Sequence, residues 1–120
     1  MENLDWIAWA AGIIEGEGCL GLYQDNRRPS TYTVKIQVES TDKFVVDKVQ
    51  EIFGGNIYEN NAPSKLPKYK KSWRWLVSNK QGVKQILTTI YPYLSPRRQD
   101  KANEILNNIA MRTKNDNDNK

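Results

Sequence analysis

At 120 residues, with 38% hydrophobic and 27% charged side chains, the chain is sized for one compact domain with its own core and has no room for separate binding and catalytic modules. No apolar run approaches the ~20 residues that span a bilayer, which excludes a membrane-spanning helix, and the lack of any His excludes imidazole bases, Ser-His triads and His-ligated zinc. The formal charge of +4 is unevenly spread: residues 1–26 carry five acids (Glu2, Asp5, Glu15, Glu17, Asp25) and no base, so the rest of the chain holds all 18 Lys and Arg.

In chain order, residues 4–14 (LDWIAWAAGII) are apolar nearly all round with Asp5 near their start, which predicts a buried helix ending near Gly16 and Gly18. Residues 19–25 and 31–39 predict two strands joined by a turn at NRRPS. Ser40 and Thr41 offer N-caps for a helix whose Val45, Val49, Ile52 and Phe53 fall at helical spacing, closed by Gly54 and Gly55. A strand over 56–61, a Pro- and Lys-bearing loop over 62–68 and a strand over 69–78 repeat the hairpin pattern. Val83, Ile86, Leu87 and Ile90 predict a third helix, and Ala102, Ile105, Leu106 and Ile109 a fourth beyond the break at Pro92 and Pro96. Residues 1–111 are the expected domain, and 112–120, polar and low in complexity, the expected disordered tail.

The order α-β-β-α-β-β-α-α predicts an α+β domain with helices gathered on one face of a four-stranded sheet. Alternation then leaves Thr31, Thr33, Lys35 and Gln37 of the second strand, and Lys70, Ser72 and Arg74 of the fourth, on the open face. Tyr32, Val34, Ile36, Val38, Trp73, Trp75 and Val77 point the other way, to the core. Long donors and acceptors on a β-ribbon suit base edges in a major groove, where Arg and Lys match guanine and Gln matches adenine. The single Cys19 has no intrachain disulfide partner and no secretory pattern opens the chain, so an intracellular, non-secreted protein is expected.

Residues 10–18, AAGIIEGEG, resemble the nine-residue motif of the LAGLIDADG homing endonucleases, with identity at Ala11, Gly12 and Gly18 and conservative matches at Ile13, Ile14, Glu15 and Glu17. The element order read over residues 4–110 is similar to that family's αββαββα core with its antiparallel sheet. The resemblance implies a site-specific double-stranded DNA endonuclease that acts as a homodimer, with two motif helices packed through small residues, here Ala8, Ala11 and Gly12, and with Glu15 at the same interface. It implies divalent metal as the cofactor, Mg²⁺ with Mn²⁺ able to substitute and Ca²⁺ supporting binding without cleavage, and no small-molecule cofactor. By position Glu17 is the implied metal ligand and principal catalytic residue, with the Gly16 carbonyl beside it; both are hard oxygen donors of the kind Mg²⁺ takes. Both motif acids are Glu where the family name has Asp.

Two further catalytic places follow from the same resemblance. Ser40, with Glu39 beside it, falls where the family often has a water-positioning Gln, while Gln37 falls in a DNA-reading position. The stretch YLSPRRQDKAN resembles the family's basic segment, so that Arg97 or Arg98 faces the scissile phosphate and steadies its charge. Arg27 and Arg28 at one hairpin tip and Lys65, Lys68, Lys70 and Lys71 at the other are expected to reach outlying phosphates, with Tyr23, Asn26, Tyr58 and Asn60 as further contacts. A cleavage-inactive DNA-binding protein, or a maturase acting on RNA, is the alternative the same fold allows.

Overall fold

The computed structural model describes residues 3–25, 28–60 and 71–118. Its elements are α1 (Asn3–Glu17), β1 (Gly18–Asp25), β2 (Arg28–Ser40), α2 (Lys43–Phe53), β3 (Asn56–Asn60), β4 (Ser72–Val77), α3 (Lys80–Ile90), a 3₁₀ turn (Tyr91–Tyr93) and α4 (Pro96–Asp118). The four strands form one antiparallel sheet in the order β1-β2-β4-β3. This is the expected α+β architecture, with the two hairpins joined through their second strands. No described helix is long and apolar enough to cross a membrane.

One face of the sheet builds the core. Val34, Ile36, Val38, Trp75 and Val77 are buried there against Ala11 and Ile14 of α1, Val46 and Val49 of α2, the full set Val83, Ile86, Leu87 and Ile90 of α3, and Ala102, Ile105 and Ile109 of α4. The period-2 and period-3.6 patterns in the sequence therefore meet in a single apolar layer. Trp75 anchors it: the indole is fully buried and donates from Nε1 to the Gly54 carbonyl at 2.7 Å. That contact explains the Gly54-Gly55 pair closing α2. Gly54 (φ 75°) and Gly55 (φ 96°) turn the chain through a left-handed region, and a Cβ on Gly55 would lie 2.8 Å from the same indole nitrogen.

Several boundaries differ from the sequence reading. Helix α1 ends at Glu17, within the expected Gly16 to Gly18 stretch, and β1 starts one residue earlier than expected, at Gly18, with no connecting residue. The first hairpin turn is shorter than NRRPS, because Arg28 pairs with Asp25 across a bulge that starts β2 early. The cap of α2 is Asp42, whose carboxylate accepts the Phe44 amide at 3.0 Å; the Ser40 hydroxyl accepts the Asp42 amide one step before it. Strand β4 begins at Ser72 rather than 69. The backbone of α4 is helical to Asp118, and no Gly or Pro interrupts it.

Candidate functional site

The junction of α1 and β1 is a backbone contact that only glycine permits. An added Cβ on Gly18 would lie 2.5 Å from the Ile14 carbonyl oxygen and 2.9 Å from its Cα, so strand and helix leave one another at near contact distance. Glu17 is thereby held as the last residue of α1, exposed and with no side-chain partner among the described residues. The carbonyl of Gly16 belongs to the same last turn, where no amide further along the helix is available to it.

Two residues earlier, Glu15 points inward and is engaged within the chain. Its Oε1 accepts the Ser95 amide at 3.3 Å, and its backbone carbonyl accepts from Arg98 Nη2 at 3.1 Å. The Arg98 Nε lies 3.9 Å from Glu15 Oε2, and the two side chains are only 18% and 30% exposed. Ser95 in turn caps α4, its hydroxyl accepting the Arg98 amide at 3.4 Å, with Pro96 at the first helical position. A carboxylate against the amino end of α4 is also favoured by the helix dipole. The sequence places Arg97 and Arg98 as equivalents; the structure separates them. Arg98 is fixed against the end of the motif helix, while Arg97 is exposed and makes no ion pair among the described residues. Both line a groove of about 500 Å³ between Gly18, Cys19 and Leu20 of β1 and Asp100, Lys101 and Glu104 of α4.

Helix α1 presents two of its expected small residues differently. An added Cβ at Gly12 or Gly16 meets nothing within 4 Å, so these positions open outward, with Ala8 half-buried near them. Ala11 is fully buried in the chain's own core, one turn before Ile14. At 100° per residue a single helix face cannot include both Ala11 and Gly16. Ala11 and Glu15 are thus engaged inside the protomer, leaving Gly12 and Gly16 as the outward positions.

The face of the sheet away from the helices carries Thr33, Lys35, Gln37 and Arg74 of the predicted polar set in register; the side chain of Thr31 lies outside the described residues. Tyr23 of β1 lies across from Thr33, Gly21 from Lys35 and Cys19 from Gln37; on the other side of β2, Arg74 lies across from Glu39 and, on β3, from Tyr58. Gln37 and Arg74 are half-buried, and Gln37 Oε1 and Arg74 Nε find no hydrogen-bond partner among the described residues. Buried polar atoms of this kind cost about 1–3 kcal/mol each until something satisfies them. Ser72, expected to be solvent-facing, is buried instead; its side chain is short and its strand central. Ser40 lies on the helix side of β2 with its hydroxyl committed to the turn into α2, so strand parity puts Glu39 and Gln37, and not Ser40, on the open face. Lys71 pairs with Glu59 and sits over Trp73. Arg27, Lys65, Lys68 and Lys70, and the side chains of Arg28 and Asn60, lie outside the described residues.

Sequence reasoning did not place Cys19, Gly21, Glu39 and Leu76 on this face, although the alternation that put Gln37 and Arg74 there marks all four. It also missed Asp100, Lys101 and Glu104 as walls of the groove, for which the sequence carries no signal beyond helical spacing from Arg97. Among the described residues no group of three or more His, Cys, Asp and Glu could hold a metal ion. The donors fit a divalent ion only in part: among the described residues, the Glu17 carboxylate and the helix-end carbonyl of Gly16 are suitable oxygen ligands.

The model of the LAGLIDADG endonuclease family matches residues 10–107. The chain is similar to the probable intron-encoded endonuclease aI2 of Debaryomyces hansenii, 29% identical over 90 residues that are 75% of this chain; it spans only 12% of that relative's length. Among solved structures it resembles the homing endonuclease I-CvuI in complex with its target in the presence of calcium, with a TM-score of 0.73 at 22% identity over 90% of this chain and 67% of that one. It also resembles the group I intron-encoded homing endonuclease I-CeuI complexed with DNA, with a TM-score of 0.74 at 14% identity over 92% of this chain and 56% of that one. At these identities the two structures speak to the fold.

Proposed function

The chain belongs to the LAGLIDADG endonuclease family, and from that membership we propose that it is a homing endonuclease, a homodimer that lays its open sheet face along double-stranded DNA and hydrolyses both strands at a long pseudo-palindromic site with divalent metal. The observation that carries this reading is Glu17, an exposed carboxylate with no partner among the described residues, held at the end of the motif helix. Among the described residues that carboxylate and the Gly16 carbonyl make an incomplete site, and phosphate oxygens of a bound duplex are the natural completion. Two protomers related by the two-fold axis of the duplex bring one such centre to each strand.

Glu17 and Gly16 would hold the ion, Mg²⁺ or Mn²⁺, which when bound supplies an acidified water and positive charge at the scissile phosphate. The rest is the work of the chain's own residues. Arg98, already oriented by Glu15, offers guanidinium charge at the end of the motif helix without having to be ordered on binding, and preorganised charge is the kind that lowers a barrier. Arg97, on the rim of the groove, contacts backbone phosphate. Glu39 and Gln37 at the end of β2 stand where a water can be oriented. Lys35, Gln37 and Arg74 read base edges, and Thr33 and Tyr58 line the same surface.

The test is cleavage of a randomised duplex library by the purified protein and by Glu17→Gln, each in Mg²⁺, in Ca²⁺ and in EDTA. Selected duplexes are expected to be cut in Mg²⁺ alone, bound but uncut in Ca²⁺, and bound but uncut by Glu17→Gln, which keeps the side-chain volume and removes the charge. Cutting by Glu17→Gln at the unmodified rate would remove Glu17 from the centre. Binding with no cutting in any divalent metal would leave a DNA-binding protein of this fold without the nuclease.

A further inference from the structure

On the open face, Tyr23 does not project outward from its strand. An added Cβ on Gly21 would lie 2.2 Å from Tyr23 Cε2 and 2.8 Å from both Cζ and the hydroxyl, so the phenol ring is folded back along β1 and lies on the bare backbone of Gly21. Its hydroxyl ends beside Cys19, the next residue on that face. The Cys19 thiol is the main cause holding the phenol above its ordinary pKa, with desolvation and the hydrogen bond to that thiol adding to it. Gly21 is also the direct cross-strand partner of Lys35, and the Lys35 ammonium stands 4.8 Å from the centre of the Tyr23 ring. Three consecutive open-face positions of β1 and one of β2 thus form a single unit: glycine makes the bed, the tyrosine ring lies in it, and the lysine ammonium stands over the ring.

We propose that Tyr23 and Gly21 are positioning residues for Lys35, and that Lys35 is the specificity-determining side chain of this quarter of the sheet. A free lysine has four rotatable bonds and serves DNA mainly as a diffuse point charge. Laid over an aromatic face, its ammonium is restricted to one side and one height above the sheet, which converts a general phosphate contact into one able to select a guanine edge. Tyr23, lying flat and spending its face on Lys35, is not itself a base-reading residue. The inference rests on the open face being the DNA-contacting surface.

Site selection from a randomised duplex library separates the two. Lys35→Ala is expected to erase the preference at a particular base pair in each half-site. Tyr23→Leu is expected to weaken preference at that same base pair by about two- to fivefold, the range an exposed cation–π contact supports, and to add nothing in the Lys35→Ala background. Tyr23→Phe, which keeps the ring and removes the hydroxyl, should retain the preference. Gly21→Ala should behave as Tyr23→Leu, and Tyr23→Leu carries the test by itself if the glycine variant does not fold. A Tyr23→Leu effect at a different base pair, one that persists without Lys35, or one equalled by Tyr23→Phe, would show that Tyr23 touches DNA itself and overturn the proposal. No change of preference in Lys35→Ala would overturn the reading of the face beneath it.

Discussion

The Arg98 guanidinium donates from Nη2 to the Glu15 carbonyl oxygen at 3.1 Å, joining the first turn of α4 to the last turn of α1 across 83 residues of chain. The Glu15 carboxylate completes the link by accepting the amide of Ser95, the capping residue of α4. One acid of the motif thus holds the basic helix in place, and the other, Glu17, has no partner among the described residues. Arg98 cannot drift from the centre without breaking contacts to the motif itself.

That relationship predicts different outcomes for the two neighbouring arginines. Arg98→Ala should lower the single-turnover cleavage rate by roughly 10²-fold, the loss typical of a preorganised charge-stabilising group, with DNA affinity changed only a few-fold. Arg97→Ala should weaken binding about evenly across sites and flatten its salt dependence. Single-turnover rates beside equilibrium binding at two salt concentrations distinguish them. Unimpaired cutting by Arg98→Ala, with cutting lost in Arg97→Ala, would reverse the assignment.

Gly18→Ala is expected to damage the fold more than the surface location suggests. The new methyl group would sit 2.5 Å from a backbone oxygen of α1, and backbone cannot move aside as a side chain can. The expected cost is about 3 kcal/mol, the upper part of the usual range for overpacking, or a fall in melting temperature on the order of 10 °C. Thermal denaturation followed by circular dichroism measures it. A variant as stable as the unmodified protein would mean that α1 and β1 part at a wider angle than described.

The outward face of α1 gives a variant that separates assembly from folding. Space around Gly12 is open within the protomer, so Gly12→Leu should fold normally as a single chain and yet fail to pair if two motif helices meet there. Ala11→Leu, at a fully buried core position, should instead destabilise the protomer. Sedimentation gives the oligomeric state and denaturation the stability. A Gly12→Leu protein that still sediments as a dimer and cuts both strands would place the interface elsewhere.

The periodic parts of the structure were legible in the sequence because each rests on one face meeting one solvent. The alternation in 31–39 put Val34, Ile36 and Val38 on the core side, and the helical spacing in 83–90 named all four buried residues of α3. The boundaries were less legible. Asp42 rather than Ser40 caps α2, since two or three neighbouring residues can all donate a capping oxygen and only the exit direction of β2 chooses among them. The sequence by itself thus determined the element order, the polarity of the sheet's two faces and the pair of motif acids. Tertiary structure alone decided that Glu15 is engaged and Glu17 free, that Arg98 is anchored and Arg97 exposed, that Ala11 is core and Gly12 surface, and that Tyr23 lies down over Gly21. Each of those distinctions separates residues of similar type within one short segment. Which member of each pair meets a partner depends on the rotation of a helix or on a strand brought close from elsewhere in the chain, and no local pattern encodes that.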